Sequence, residues 1–395
     1  MVDMVATTRA AGAAHSHHAM ACETAIAVRP AHEAALHAYE EFCRDAVHAS
    51  AQHPHWIRAW IEAAAADAFV VFVERHGRPI AAMALEVVRQ GPFRVARFMG
   101  GKHANGNFIA IRPGASPLAA GDRRLLAAAI RKARPDVDLV ALERQNGEQE
   151  GVANPLAPLR TGRSPNVSLS VDLEGGFAEM LARRSGKRKK KKYKLQLRKF
   201  EDAGGYRLIE ASNAEEVERL IGEFYVMKAA RFRRKGIADA FGPPHVQAFF
   251  RALFLRALAD SSPAFVLHGV EVAGVLLAVN GVSVRRDSVT CEFGGIRDDG
   301  LNASPGFFLD YTNIEQACES GKGVYDFSVG DEEYKRSWCD IETWQFDVLL
   351  PLTLKGRLAY ALAQARTRAV THVKSNERLW SFVKELRQKR GGEGE

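Results

Sequence analysis

The feature that most constrains the fold of this chain is a strand-rich segment that occurs twice. Phe69-Val70 corresponds to Phe265-Val266, 196 positions later, and Gly100-Gly101 corresponds to Gly294-Gly295, 194 positions later. In each copy a polar loop with an asparagine, a helical pattern and another strand pattern follow. A repeat of this length predicts two copies of one domain, because the repeats of solenoid proteins span only about 20 to 50 residues.

The pattern within each copy indicates the fold class. In the first copy a helix over Asp122 to Ala133 leads to a strand over Val137 to Glu143; in the second, a helix begins at Ser304 and a strand covers Val324 to Val329. Two helices precede the second strand-rich segment, and the first of them starts at a capping box, Asn213 with Glu216. This order matches the GNAT (acyl-CoA N-acyltransferase) fold. The sequence therefore predicts an α/β (α+β) protein with two tandem GNAT-like domains, each a mixed central sheet flanked by helices.

At 395 residues the chain exceeds the length of about 250 to 300 residues at which single cores usually stop growing. We therefore expect five segments. They are a disordered tail (1–22), an N-terminal GNAT-like domain (23–174), a basic helical linker (175–203), a catalytic C-terminal GNAT domain (204–350), and basic helices with a tail (351–395).

The positive charge of the chain lies in one short stretch. Eleven Lys and Arg residues and no acidic ones lie between Arg183 and Lys199. Their combined charge exceeds the net charge of +8, so the rest of the chain is slightly acidic. This run is either a solvated helix between the domains or a contact for tRNA or an anionic glycan. Only Tyr193 is interleaved for base stacking, so a nucleic-acid partner is not favoured.

Cysteine and histidine spacing predicts no metal cofactor. The five cysteines are widely spaced, and His15, His17 and His18 lie in the polar N-terminal tail. The sequence has no uncharged apolar run of about 18 residues, so we expect a cytoplasmic protein without a membrane span. Peripheral association with a membrane is left open.

The helix beginning with Ser304, Pro305 and Gly306 is the candidate donor site. Serine suits the N-cap and proline the first helical position. The unpaired N–H groups of a helix start favour anions such as the phosphates of acyl-CoA, and Gly306 gives them room. An ordinary capped helix is the alternative.

Four residues are candidates for catalysis. Glu292 is either a general base for the acceptor or a solvated edge carboxylate, and Asp326 either orients a substrate or bonds backbone amides in the next loop. Tyr334 is placed to protonate the leaving thiolate, and Lys335 to hold an anionic group or the loop. Cys291 has no histidine near it in sequence, so we interpret it as a buried thiol rather than a nucleophile.

The stretch from Ser304 to Trp338, SPGFFLDYTNIEQACESGKGVYDFSVGDEEYKRSW, resembles the CelD/BcsL-type acetyltransferases, GNAT-superfamily proteins associated with cellulose and other exopolysaccharide biosynthesis. The resemblance extends over about residues 23–385 and includes Trp56 and Trp60. It implies acyl-CoA as donor, with pantetheine between splayed strands of the second domain and pyrophosphate at the helix start. It also assigns donor contacts to Arg297 and Asn302, although Asn302 replaces the final Gly or Ala of the common GNAT phosphate loop.

The function predicted from these features is transfer of an acyl group, typically acetyl, from acyl-CoA to a hydroxyl or amine. The acceptor would be a sugar, polysaccharide precursor or similar small molecule in the cleft between the domains. The same stretch also resembles the Fem-type peptidyltransferases, which implies an aminoacyl-tRNA donor as the alternative. A non-catalytic scaffold in a polysaccharide-synthesis complex is the third interpretation.

Overall fold

A computed structural model describes residues 24–116, 118–297 and 302–376. The predicted tail 1–22, with its three histidines, lies outside the described residues. Within the described part the predicted fold class is confirmed: a large mixed sheet is flanked by helices.

The described residues form fifteen strands and ten α-helices. The strands are β1 (Thr24–Pro30), β2 (Ala68–Arg75), β3 (Arg78–Gln90), β4 (Phe93–Phe98), β5 (Ala110–Ile111), β6 (Leu139–Gln145), β7 (Glu148–Gln149), β8 (Val152–Ala153), β9 (Gly162–Asp172), β10 (Tyr206–Glu210), β11 (Phe265–Val272), β12 (Val275–Val284), β13 (Ser288–Ile296), β14 (Val324–Val329) and β15 (Ile341–Pro351). The helices are α1 (Glu33–Cys43), α2 (Pro54–Ala64), α3 (Asp122–Ala133), α4 (Gly176–Arg183), α5 (Gly186–Asp202), α6 (Ala214–Arg234), α7 (Pro244–Ala257), α8 (Pro305–Glu319), α9 (Glu333–Trp338) and α10 (Leu354–Ser375).

Twelve of the strands lie in the order β1-β2-β3-β4-β6-β15-β9-β14-β13-β12-β11-β10, and β5 pairs with β3 at the side. Among the strand pairs of the described residues, only β4 with β6 and β13 with β14 are parallel. The same topology therefore occurs twice. We call β1 to β6 with α1 to α3 the first half, and β10 to β14 with α6 to α8 the second half.

The two halves exchange their last strands. β9 follows the first half in sequence but pairs with β14 of the second, while β15 follows the second half and pairs with β6 of the first. β9 and β15 also pair with each other, so one continuous sheet runs through both halves. The boundaries predicted at 174 and 204 remain predictions, but β9 and β15 tie the sheet together across them.

Helices of both halves share one core on one face of the sheet. Trp56 of α2 is fully buried, with its ring centroid 4.8 Å from that of Phe249 of α7. Gly100 has φ +89°, and a Cβ there would lie 2.7 Å from Cζ2 of Trp56, so only glycine fits this close approach. α3 and α8 lie on the opposite face.

Capping residues and a proline in the sequence predict the starts of α6 and α8 correctly. The predicted start of α6 has one of the two bonds of a capping box, because Asn213 Oδ1 accepts from the Glu216 N–H at 3.0 Å. Glu216 Oε2 instead accepts from the N–H of the preceding residue, Ser212, at 2.9 Å. α8 starts at Pro305 as predicted, but the Ser304 side chain makes no capping bond.

Candidate active site

A V-shaped opening separates the parallel strands β13 and β14. Ser288, Val289 and Thr290 pair with Val324, Tyr325 and Asp326, and the paired register ends there although both strands continue. Ser328 Oγ donates a hydrogen bond of 3.0 Å to the Cys291 carbonyl across the opening. Backbone pairing of the two strands therefore ends at Thr290 and Asp326, and a side-chain bond joins them at Cys291 and Ser328.

A β-bulge places Glu292 at this opening. Gly281 lies opposite Phe293 and Val282 opposite Cys291, so Glu292 is the extra residue on β13. A bulge turns the side chain of the extra residue and interrupts regular pairing. The Glu292 carboxylate points to the same face as α7 and the first half.

The Glu292 carboxylate is held by residues from both halves. Oε1 accepts from Ser283 Oγ at 2.7 Å, and Oε2 accepts from Asn105 Nδ2 at 2.9 Å. Ser50 Oγ lies 2.6 Å from Ser283 Oγ and extends the network into the first half. Burial raises the pKa of Glu292, whereas the hydrogen bonds and the nearby Arg285 guanidinium lower it. A carboxyl with a raised pKa, fixed in one orientation, is suited to taking a proton.

Asp326 stabilises the backbone beside the opening. Its Oδ1 accepts the Ser328 N–H at 2.7 Å and the Ser170 hydroxyl at 3.1 Å. Ser328 has φ +62°, an uncommon conformation for serine that this hydrogen bond supports. Asp326 thus bonds the backbone of its own strand, and its contact with a substrate stays a prediction.

A second group of side chains lies on the α8 face of the opening. The Tyr334 side chain is half-exposed. Its pKa is nevertheless raised, mainly because the hydroxyl is buried and also because Cys291 and Asp310 lie nearby. Lys335 is buried; its Nζ donates to the Val329 carbonyl at 3.0 Å and lies 3.1 Å from Glu332 Oε2, so it holds the loop after β14. Burial raises the pKa of the Cys291 thiol to about 12, so it is not a thiolate at neutral pH.

Asp310 of α8 is the residue of this group that sequence reasoning missed. Burial raises its pKa to about 7, although Lys335 lies close enough to lower it. The signal in the sequence was an aspartate within the apolar run Phe307 to Tyr311. Strongly perturbed carboxyls often lie in functional sites, so Asp310 joins the candidate site.

The raised pKa of Asp310 predicts a pH-dependent stability. Because ionisation is harder in the folded state, the free energy of unfolding falls as pH rises from about 4 to about 7. Asp310→Asn should remove that fall and be more stable than wild type at pH 8 by roughly 1–3 kcal/mol, with little difference at pH 4. Urea denaturation across this range measures the effect. Asp202→Asn, at the exposed end of α5, is the control for net charge; parallel curves for wild type and Asp310→Asn would contradict the prediction.

The basic helix α5 lies against the start of α8. Gln196 Oε1 accepts from the Ser304 N–H at 2.7 Å, Lys199 Nζ donates to the Asn302 carbonyl, and Lys192 Nζ lies 4.3 Å from the centre of the Phe307 ring. Tyr193 stacks on Tyr311 with a centroid distance of 4.1 Å. α5 is thus packed along one face rather than solvated all round, and it brings lysines to the helix start.

The predicted donor residues differ in their surroundings. Arg297 is occupied, because its guanidinium bonds Glu223 and its Nε donates to the Leu276 carbonyl at 3.0 Å. Asn302 has φ +43°, the left-handed region where glycine is usual and asparagine is the common substitute. A Cβ on Gly306 would lie 2.9 Å from Cγ2 of Ile296, so this glycine is also needed for packing against β13. Residues 298–301 of the predicted phosphate loop lie outside the described residues.

The first half differs from the second at the position of Glu292 and at the start of its helix α3. β3 and β4 pair without a bulge, and the glycine offset places Phe98 at the position of Glu292. At the start of α3, Asp122 Oδ2 accepts the Ala119 N–H at 2.8 Å and lies 3.7 Å from Arg75 Nη2. A carboxylate therefore already occupies the anion-favouring end of α3.

Residues 187–336 match the family model described as an acetyltransferase (GNAT) domain. This part of the chain is therefore similar to GNAT acetyltransferases. The match begins within α5 and includes the V-shaped opening, α8 and most of α9. It does not distinguish CelD/BcsL-type acetyltransferases from other GNAT proteins.

Solved structures are similar to the chain over both halves. A crystal structure of FemX is 11% identical, with a TM-score of 0.56, and the alignment covers 83% of this chain and 98% of that chain. A conserved protein of unknown function from Bacteroides thetaiotaomicron VPI-5482 is 10% identical, with a TM-score of 0.52, and coverage of 82% and 99%. At such identities the likeness concerns the fold. No curated protein sequence matches the chain significantly.

Two further observations concern the described residues alone. None of their helices is both long and apolar enough to cross a membrane. No three of their His, Cys, Asp or Glu side chains are grouped as metal ligands would be.

Proposed function

We propose that this protein transfers an acyl group from acyl-CoA to a hydroxyl or amine of a small acceptor, and that the second half binds the donor. The observation that carries the proposal is the contrast between the halves. Only the second combines the bulge at Glu292 with a helix start that has no carboxylate of its own among the described residues.

The donor would lie along the opening, with its phosphates at α8. The first-turn N–H groups of α8 favour an anion, although the helix dipole supplies only about 0.3–1 kcal/mol at exposed sites. Lys192 and Lys199 of α5 add positive charge there. The pantetheine arm would lie between β13 and β14, where strand pairing ends.

Residues on the two faces of the opening would then move protons. The acceptor oxygen or nitrogen attacks the thioester carbonyl, and Glu292 accepts the acceptor's proton from the face of the first half. The carbon–sulfur bond breaks, and the departing thiolate takes a proton from Tyr334 on the α8 face. The Tyr334 hydroxyl is protonated at neutral pH, and its raised pKa favours recovery of a proton from solvent after that step, while Glu292 returns its proton to solvent. Asp326 and Lys335 would hold the backbone beside the reacting atoms.

Calorimetric titration with acetyl-CoA tests the donor assignment. We expect saturable binding below millimolar ligand, and much weaker binding of acetyl-pantetheine, because it lacks the phosphates. No binding of acetyl-CoA at millimolar concentration would overturn the proposal. Equal binding of both ligands would contradict the phosphate site at α8.

For the acceptor we propose a sugar or polysaccharide precursor, as the CelD/BcsL-type resemblance implies. Hydrogen-bonding groups of both halves surround Glu292, among them Asn105 and Ser50, which suits a hydroxyl-rich molecule. A panel of amino sugars, nucleotide sugars and simple polyols, assayed by release of CoA thiol, distinguishes this class from amino acids and peptides.

An aminoacyl-tRNA donor is the second candidate, favoured by the exposed row of lysines on α5 and the fold shared with FemX. It predicts binding of charged tRNA at physiological salt that is lost when Lys187, Lys190, Lys191 and Lys194 are replaced by Gln. Retention of acetyl-CoA binding together with no tRNA binding would exclude this candidate.

A further inference from the structure

Helix α10 has one face on the sheet and an opposite face that is apolar and exposed. Gly356 and Ala359 are buried, and a Cβ on Gly356 would lie 1.8 Å from the Asp138 carbonyl oxygen, so this face is in tight contact. On the outer face Leu354, Leu358 and Leu362 are 80%, 57% and 53% exposed. Large apolar side chains are commonly scattered singly on protein surfaces, but here three form one row.

The outer face of α10 forms a continuous apolar strip. The three leucines are spaced at i, i+4 and i+8, so they lie above one another on the helix surface. Ala361, Ala365 and Ala369 are exposed and lie on the same side at about 100° per residue. The strip therefore extends along about four turns.

Cations border this strip on both sides. At helical spacing Lys355 and Arg366 lie along one edge, and Arg357 and Arg368 along the other, and all four are exposed. The sequence of α10 contains no Asp or Glu. An apolar strip between two basic edges is the pattern of helices that lie in a membrane interface, with apolar side chains among the acyl chains and cations at anionic headgroups.

We propose that the strip of α10 binds the surface of an anionic lipid bilayer, with the helix axis parallel to the membrane plane. The charge pattern favours this occupant over a second copy of the chain. Two strips facing each other would bring eight cations together without an anion from either helix, which opposes association. The proposal does not depend on the acyltransferase activity.

Co-sedimentation of the full chain with vesicles tests the proposal. We expect binding to vesicles of about three parts phosphatidylcholine to one part phosphatidylglycerol that is at least tenfold stronger than to pure phosphatidylcholine, because each basic residue near an anionic surface adds about a fivefold factor. The triple variant Leu354→Ser, Leu358→Ser, Leu362→Ser keeps every charge and should bind about tenfold or more weakly. The quadruple variant Lys355→Gln, Arg357→Gln, Arg366→Gln, Arg368→Gln should lose the preference for anionic lipid.

A matched control separates this surface from general basicity. Lys190→Gln with Lys191→Gln on α5 removes exposed positive charge elsewhere and should leave most of the binding intact. All replaced side chains are exposed, so each variant should stay folded, with a melting temperature lowered only slightly because serine is a weaker helix former than leucine. Acetyl-CoA titration shows separately whether the donor site is intact.

Four results would overturn the proposal. They are no binding to anionic vesicles, equal binding of the leucine variant, a dimer that the leucine variant converts to a monomer, and a Leu358→Cys variant whose new thiol is protected from a thiol reagent without vesicles. The third result would assign the strip to a second copy of the chain. The fourth would indicate that another part of the chain, such as residues 377–395, covers it.

Discussion

Glu292→Gln is expected to lower turnover by a factor of about 10²–10⁴ while leaving acetyl-CoA binding close to wild type. Glutamine has nearly the same shape and can still bond to Ser283, but it cannot accept a proton from the acceptor. The affinity should persist because the donor phosphates lie at α8, away from the carboxylate. Initial rates with an acceptor from the panel above, combined with calorimetry, separate the two effects.

The pH dependence of turnover provides a second measure of the same role. Burial raises the pKa of Glu292, so the active carboxylate form increases as pH rises through that pKa, and the rate should rise with it. Glu292→Gln should lack this rise. Asn105→Ala removes a donor that stabilises the carboxylate, so it should shift the rise to higher pH without abolishing it.

Glu333→Gln is the control, because Glu333 is exposed at the start of α9. Turnover of Glu292→Gln within threefold of wild type across the pH range would mean that Glu292 is not the base. Loss of acetyl-CoA binding in the same variant would mean that Glu292 supports the donor site instead.

Much of the local structure could be predicted because it depends on neighbouring residues. α3 was predicted over Asp122 to Ala133 and β14 over Val324 to Val329, and both have those bounds in the structure. The pattern of apolar residues determines these elements, and Pro305 and the N-cap residue Asn213 determine where two helices begin. The repeat supports the predicted fold class, because the same order of helices and strands occurs in both copies.

The exchange of β9 and β15 could not be predicted in this way. Pairing partners of strands are set by contacts between residues distant in sequence, and β15 pairs with β6 across about 200 positions. Nothing within either strand distinguishes pairing with its own half from pairing with the other. The sequences of β9 and β15 are therefore compatible with pairing inside one half and with pairing between the halves.

The sequence offers candidate residues for the site but not their geometry. Glu292 was recognised as a carboxylate on a strand, yet its bulge depends on the register with β12, and Asn105 reaches it from the first half. The basic sequence of α5 predicts either a solvated helix or a contact for tRNA or an anionic glycan. Its packing depends on Tyr193 and Gln196, two residues in a run dominated by lysine.

Ser304→Asp is expected to weaken acetyl-CoA binding by about a hundredfold without unfolding α8. Aspartate is as good an N-cap as serine, and a negative charge at a helix start is favourable, so the helix should keep its stability. A phosphate at the same helix start would, however, lie close to the new carboxylate. Two like charges about 5 Å apart repel by about 3 kcal/mol at an effective dielectric constant of 20, which corresponds to roughly a hundredfold in affinity.

Ser304→Asn is the matched control, since asparagine has the size of aspartate and is an equally good N-cap but carries no charge. It should bind acetyl-CoA with nearly wild-type affinity. The difference between the two variants should shrink in high salt, because screening weakens the repulsion. The aspartate variant gives the start of α8 a carboxylate, as Asp122 does at the start of α3. A hundredfold loss of acetyl-CoA affinity would therefore explain in physical terms why the first half is not the donor site. Equal affinities of the two variants would instead place the donor phosphates away from the start of α8.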